Sequence, residues 1–244
     1  LPKAAVGPGL WLLFLNDGAD GYWHAAPDGV AVVASEEKVT PFLTMTTEAG
    51  AVGGVLAGGS SFGASANANS ILDQNAMFDF YHGGGLDLTC LGMAECDEHG
   101  NVNTSKFGGR LNGCGGFIDI SQNSRAGVFS GTFTAGGLDV QIAYGKLKIM
   151  QEGRARKFVK NVEQITFSGK YASQKSQPVI YVTERCVFQL TPGGLELIEV
   201  APGIDIEKNI LAHMDFKPII NKPMPMDRRI FIDEPMELLA ELQN

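Results

Sequence analysis

Residues 42–63 read Phe42-Leu43-Thr44-Met45-Thr46-Thr47-Glu48-Ala49-Gly50-Ala51-Val52-Gly53-Gly54-Val55-Leu56-Ala57-Gly58-Gly59-Ser60-Ser61-Phe62-Gly63. The first six residues are β-rich and alternate, which predicts a strand running directly into Glu48. The glycine density that follows fits no regular element, so the chain from Ala49 onward is expected to be a loop held close to something. A carboxylate at the end of a strand, opening a glycine loop, is the pattern from which the rest of the reading starts.

Moving outward, residues 1–30 are irregular in composition. They hold the apolar run Leu10–Leu15, both tryptophans (Trp11 and Trp23) and turn formers at Asn16-Asp17-Gly18 and Pro27-Asp28-Gly29, and they read as a short strand followed by loop. Val30 to Glu37 fits either a short helix or a strand. Ile71 to Tyr81 reads as helix or turn closed by Gly83-Gly84-Gly85, Leu86 to Ala94 as a buried strand, and Asp97-Glu98-His99-Gly100 as a turn. A second glycine cluster, Gly113-Cys114-Gly115-Gly116, opens onto Phe117-Ile118-Asp119-Ile120, which is strand-like. Val140–Met150 and Phe158–Phe167 keep the β-leaning alternation, and Val179–Val182 is a further strand. Cys186–Leu190 and Leu195–Val200 flank Thr191-Pro192-Gly193-Gly194, a hairpin signal. Asp205 is placed to cap a helix carrying Ile206, Ile210, Leu211 and Met214 on one face, and Pro218, Pro223 and Pro225 are expected to end regular structure. Strands ending in glycine loops with helices between them predict an α/β fold with an open, mostly parallel sheet and flanking helices, its ligand outside the carboxyl ends of the strands. The expected organisation is an irregular segment 1–30, one domain over 31–220 and a tail over 221–244.

Composition narrows the function. The 244 residues carry 19 Lys and Arg against 27 Asp and Glu, a formal net charge of −8. No long basic run is available to neutralise a row of phosphates, which argues against nucleic acid as a partner. The longest apolar run has six residues, against the roughly 20 needed to cross a bilayer, so no membrane partner is expected. It is also short for a secretory leader. The chain opens at Leu1 without an initiator Met, as expected of a processed protein or the later part of a longer one. The four cysteines, Cys90, Cys96, Cys114 and Cys186, form no CxxC pair and fit reduced thiols in a cytoplasmic protein. Cys90, Cys96, His82 and His99 match no standard zinc spacing, so no metal is expected.

The chemistry candidates follow from residue type and position. Glu48 can be a nucleophile or general base, or a solvated glutamate at a strand end. Gly113 to Gly116 can bring a backbone N–H close to a developing oxyanion, or form a tight turn between strands. The glycines lack the strand–GxGxxG–helix context of a dinucleotide site, and there is no P-loop. Arg154-Ala155-Arg156-Lys157 is a short basic run of the kind usually found on solvated faces.

Thr46-Thr47-Glu48-Ala49-Gly50-Ala51-Val52-Gly53-Gly54 resembles the active-site glutamate motif of family I coenzyme A transferases. Asp79-Phe80-Tyr81-His82-Gly83-Gly84-Gly85-Leu86-Asp87 resembles the acetate/propionate branch of that family, as do Gly100-Asn101-Val102-Asn103, Gly113 through Ile120, and Thr183-Glu184-Arg185. The resemblance runs from about residue 28 to 220, in order, and is to the second, glutamate-bearing half of a chain about twice this length. Residues 9–27 do not resemble the Asn-Leu-Gly-x-Gly-Ile-Pro-like stretch of the family. The resemblance implies a CoA-transferase/NagB-RpiA-like α/β fold and CoA transfer between a short-chain acyl-CoA and a free carboxylate. It implies Glu48 as covalent nucleophile, a glutamyl-CoA thioester, and the backbone N–H of Gly116 as an oxyanion donor. Gly50, Gly53, Gly54, Gly113, Gly115 and Phe117 are the implied substrate-binding positions. CoA enters as substrate carrier with no other cofactor, and the implied partner is a first-half (α-like) domain or subunit, in a homo- or hetero-oligomer. The alternative is a non-catalytic acyl-CoA-binding or assembly fragment.

Overall fold

The structure, a computed structural model, describes residues 10–14, 25–57, 61 and 63–243, with backbone alone for 10–14 and 25–28. The turn formers at 16–18, Trp23 and the Gly58-Gly59-Ser60 and Phe62 part of the glycine loop lie outside the described residues. The chain folds as two compact units, 1–92 with 115–128 and 235–244, and 93–114 with 129–234.

In the first unit, β1 (Leu10–Phe14) runs parallel to β2 (Leu43–Thr46) on one side, with Leu10 opposite Leu43. On its other side it is parallel to β5 (Leu88–Gly92), with Leu12 opposite Leu88. Beyond β2 the pairing turns antiparallel through β3 (Ala51–Val52) and β4 (Ser70–Ile71). Met45, Leu88 and Cys90 form a buried cluster covered by Ala31 of α1 (Ala25–Glu36). The undecided stretch Val30–Glu37 is therefore helix. Pro27 and Asp28, read as turn formers, lie in its first turn, where the missing proline N–H has no intrahelical partner to lose. Helix α2 (Gln74–His82) buries Met77 and Tyr81, four residues apart on one face, and stops at Gly83.

Phe117-Ile118-Asp119-Ile120 is not a strand. It opens helix α3 (Phe117–Asn123), which buries Phe117, Ile120 and Ser121, the i, i+3, i+4 stripe of a helix. Local β propensity gives way there to burial of that stripe. The segment after 220 is also ordered where described. The Glu37 carboxylate accepts the backbone N–H groups of Met236 (2.5 Å) and Leu238 (3.0 Å), tying the start of the Leu238–Gln243 helix to the end of α1.

In the second unit, β6 (Asp139–Ala143) and β7 (Lys146–Gln151) form a hairpin. β8 (Val179–Val182), β9 (Cys186–Thr191) and β10 (Gly194–Val200) form an antiparallel ladder, with Pro192-Gly193 as the two-residue loop between β9 and β10. Pro218 to Pro225 does not end regular structure. Ile219–Pro225 is strand β11, parallel to β10 and outermost in the sheet. An edge strand tolerates prolines, because one side of it has no ladder to donate to. Phe158 to Phe167 makes isolated bridges rather than a strand. Both phenylalanines are fully buried, with ring centroids 4.7 Å from Phe133 and Phe129 respectively. Asp205 caps as expected, accepting the Lys208 N–H at 2.8 Å. The turns that follow are a wide one over Ile206–Ile210 and a tight one over Leu211–His213. Parallel pairs at β1 and β11, antiparallel pairs among β2–β4 and β8–β10, and packed helices make the expected α/β fold with a mixed sheet. Among the described residues no helix is long and apolar enough to cross a membrane.

Candidate active site

Glu48 stands on the connection between β2 and β3. Thr47 N–H donates to Ala51 O at 3.0 Å, and Gly50 N–H donates back to Thr47 O at 3.0 Å, closing a four-residue turn with Glu48 in its second position. Gly50 has φ +111°, and a Cβ there would lie 2.0 Å from the Leu72 carbonyl oxygen, so the turn admits only glycine. A tight, doubly bonded turn holds the half-buried Glu48 carboxylate at the strand end.

The carboxylate lies against Gly116. A Cβ added to Gly116 would stand 2.7 Å from Glu48 Oε2 and 2.3 Å from Cζ of Phe78. At φ −81° the Gly116 backbone suits any residue, so space alone excludes a side chain there. Chain segments 68 residues apart thus place a carboxylate beside a bare main chain. A backbone amide can approach a reacting carbonyl there without a side chain in the way.

Behind the carboxylate is a buried polar pair. Thr46, the last residue of β2 and two before Glu48, is fully buried. Its hydroxyl bonds to the Tyr81 hydroxyl and lies 3.6 Å from Met77 Sδ. Burial pushes the Tyr81 phenol well above its ordinary range; the Thr46 bond works against that shift and the negative charge of Glu48 adds to it. The Tyr81 and Phe78 rings meet edge to face, centroids 5.8 Å apart.

The remaining expected site positions divide. Gly53 and Gly54 are crowded by the protein itself, a Cβ at either meeting Asn69 Oδ1 at 1.7 Å or Ala66 O at 2.4 Å. Phe117 is buried as the first residue of α3. Gly115 has open space around its Cβ position, as does Gly113, which belongs to the second unit. Thr46, Phe78 and Tyr81 were not singled out from sequence. The available signal was Thr46 at two residues from Glu48 on a strand, and Met77 and Tyr81 at helical spacing.

The other motifs build scaffold. Asp97, buried, accepts the N–H of His99 and of Asn101 at 3.0 Å each, and Asn103 Nδ2 donates to Glu95 at 2.7 Å. In Thr183-Glu184-Arg185 the guanidinium is fully buried over the Phe133 ring (4.7 Å) and paired with Glu184 (2.6 Å) and Glu152 (2.9 Å).

No family model matches the chain. Acetate CoA-transferase YdiF of Escherichia coli O157:H7 is 51% identical over 210 residues, covering 86% of this chain and 40% of that protein. The crystal structure of E. coli O157:H7 YdiF as a thioester complex with CoA matches at TM-score 0.85 and 46% identity, over 94% of this chain and 42% of that one. This chain belongs to the CoA-transferase family. Caffeate CoA-transferase of Acetobacterium woodii is 49% identical over 214 residues, with 85% of this chain and 41% of that protein covered. The chain spans about two fifths of the length of these curated CoA-transferase relatives. The fold reaches further: the decarboxylase AibA/AibB matches at TM-score 0.67 with 16% identity, over 99% of this chain and 89% of that one. Since that enzyme is a decarboxylase, fold alone does not fix the reaction.

Proposed function

We propose that this chain is the glutamate-bearing part of a CoA-transferase that moves CoA between a short-chain acyl-CoA and an acetate-type carboxylate, with Glu48 as the covalent nucleophile. The observation that carries the reading is the Glu48 carboxylate packed against the side-chain-free Gly116. A Glu48 oxygen attacks the thioester carbonyl, the C–S bond breaks, and CoA leaves as thiolate from an acyl-glutamyl anhydride. The thiolate then attacks the glutamyl carbonyl, expelling the first carboxylate and leaving a glutamyl-CoA thioester. An acceptor carboxylate attacks that thioester and releases the thiolate, which takes the acceptor's acyl group and restores Glu48. Each tetrahedral intermediate carries an oxyanion, and the Gly116 N–H is the donor assigned to it. One such donor is worth about 3 kcal/mol. Every step uses only carboxylate, thioester and thiolate, so CoA is carrier and no metal or redox cofactor is invoked.

Residues 31–220 are taken as the catalytic-glutamate domain. Its partner is a first-half domain or subunit, in a homo- or hetero-oligomer, that completes the substrate pocket. Four free thiols, three of them buried, suit a reducing cytoplasm. The relatives' names support acyl-CoA and carboxylate as substrates. The test is exchange of labelled acetate into acyl-CoA by the protein assembled with its first half, against Glu48→Gln. Exchange that falls at least about 1,000-fold in the variant supports the reading. Undiminished exchange in Glu48→Gln rejects it, and CoA binding without exchange in the unaltered protein assigns a non-catalytic binding role.

A further inference from the structure

Four contacts in the first unit close into a ring around the reactive carboxylate. Glu48 Oε2 borders Gly116, Gly116 borders the Phe78 ring, Phe78 meets Tyr81 edge to face, and the Tyr81 hydroxyl bonds to Thr46, two residues from Glu48 along β2. The five members come from three parts of the chain: the end of β2 with its turn (Thr46, Glu48), α2 (Phe78, Tyr81) and the start of α3 (Gly116). The Thr46–Tyr81 link is a directional bond between two buried hydroxyls, and Phe78 meets Tyr81 ring to ring.

Resting on Glu48 as the nucleophile, we propose that Thr46 and Tyr81 are positioning residues, whose hydroxyl–hydroxyl bond sets the separation between the Glu48 carboxylate and the Gly116 main chain. The strand end and α2 are fixed to each other through that bond. Phe78, one helical turn's edge away from Tyr81 on α2, then fixes how closely Gly116 can approach. Both hydroxyls are enclosed by the protein, so the pair acts on substrate through Glu48 rather than by touching it.

A bond of this kind has a thermodynamic signature that separates positioning from plain stabilisation. Removing the Thr46 hydroxyl strands that of Tyr81 in a buried site, and removing the Tyr81 hydroxyl leaves Thr46 only the weak sulfur acceptor of Met77 at 3.6 Å, whereas replacing both by apolar groups of the same shape is close to neutral for stability. Tyr81→Phe and Thr46→Val each lower the unfolding midpoint, and the double variant recovers most of it. Geometry does not recover with it, because the directional bond is still absent. A misplacement of about 1 Å costs up to about 100-fold in rate, so kcat for exchange is expected to fall about tenfold or more in both single variants and in the double variant. KM for acyl-CoA stays within about twofold, and Thr46→Ser, which keeps the oxygen, returns kcat to near the starting value.

The measurement is kcat and KM for label exchange in the assembled protein, alongside urea unfolding, for these four variants and Glu48→Gln. If the double variant regains kcat together with stability, or if the single variants lose stability with kcat unchanged, the pair is structural only and the inference is overturned. If Glu48→Gln retains exchange, the nucleophile assignment itself fails, whatever the hydroxyl variants do.

Discussion

Gly116→Ala asks whether the space beside Glu48 matters. The backbone at φ −81° accepts alanine without strain, so the whole effect comes from one methyl group. That methyl would stand 2.3 and 2.5 Å from two ring carbons of Phe78 and 2.7 Å from Glu48 Oε2. Ordinary contact begins near 3.4 Å, so the carboxylate must retreat by about 0.7 Å and the ring by about 1 Å. The ring belongs to a packed helix, and forcing an extra carbon into such a contact costs about 1–3 kcal/mol of stability. Retreat of the nucleophile falls directly on the chemical step. Scaled from about 100-fold per 1 Å, kcat should drop about tenfold to a hundredfold. Initial rates of labelled-carboxylate exchange over a range of acyl-CoA concentrations give kcat, and denaturant unfolding shows how much protein is folded at the assay temperature. A Gly116→Ala protein whose kcat per folded molecule stays within about twofold of the unaltered protein would show that the space beside Glu48 does not govern the chemical step.

The second unit yields two further expectations. Arg185→Leu leaves Glu152 and Glu184 without the fully buried guanidinium that pairs with both, and breaking such a pair should lower unfolding free energy by about 3–5 kcal/mol; a loss under about 1 kcal/mol in urea titration contradicts it. Burial draws the Lys157 ammonium from its usual 10.5 down to about 8, while the charge of Glu184 pulls the other way. Between those values the unfolded chain holds a proton that the folded one has released, so stability contributed at this site rises with pH. Measured as the difference from Lys157→Met, the unaltered protein should gain about 2 kcal/mol between pH 7.5 and pH 10, and a flat difference would show that the lysine titrates normally.

What could be read in the sequence was what depends on neighbours in the chain. The hairpin around Pro192-Gly193, the capping Asp205 and the strand leading into Glu48 are each specified within a few residues, and the structure has all three. Phe117 to Ile120 misled because four residues cannot separate strand from helix; the burial of Phe117, Ile120 and Ser121 decides it, and burial is a tertiary fact. Pro218 to Pro225 misled for a related reason: proline excludes a central strand, and only the sheet order reveals that this one is at an edge.

The site divides along the same line. Glu48 and Gly116 drew notice through their motifs, but nothing in sequence says that they touch across 68 residues. The glycines following Glu48 looked like room for a substrate. At Gly50, Gly53 and Gly54 the space is taken by Leu72, Asn69 and Ala66, so their first demand is the fold's own. Thr46 and Tyr81 carried no signal as a pair, because a hydroxyl on a strand and a phenol on a helix meet only after α2 has packed.

Covalent capture detects the proposed Glu48–CoA bond itself. The assembled protein is incubated with acyl-CoA without acceptor, digested under acidic conditions, and the peptide containing Glu48 is weighed by mass spectrometry. CoA joined through a thioester to the Glu48 side chain is the expected product, with the adduct missing from Glu48→Ala. CoA attached to any other residue, or an adduct that persists in Glu48→Ala, would contradict Glu48 as the nucleophile.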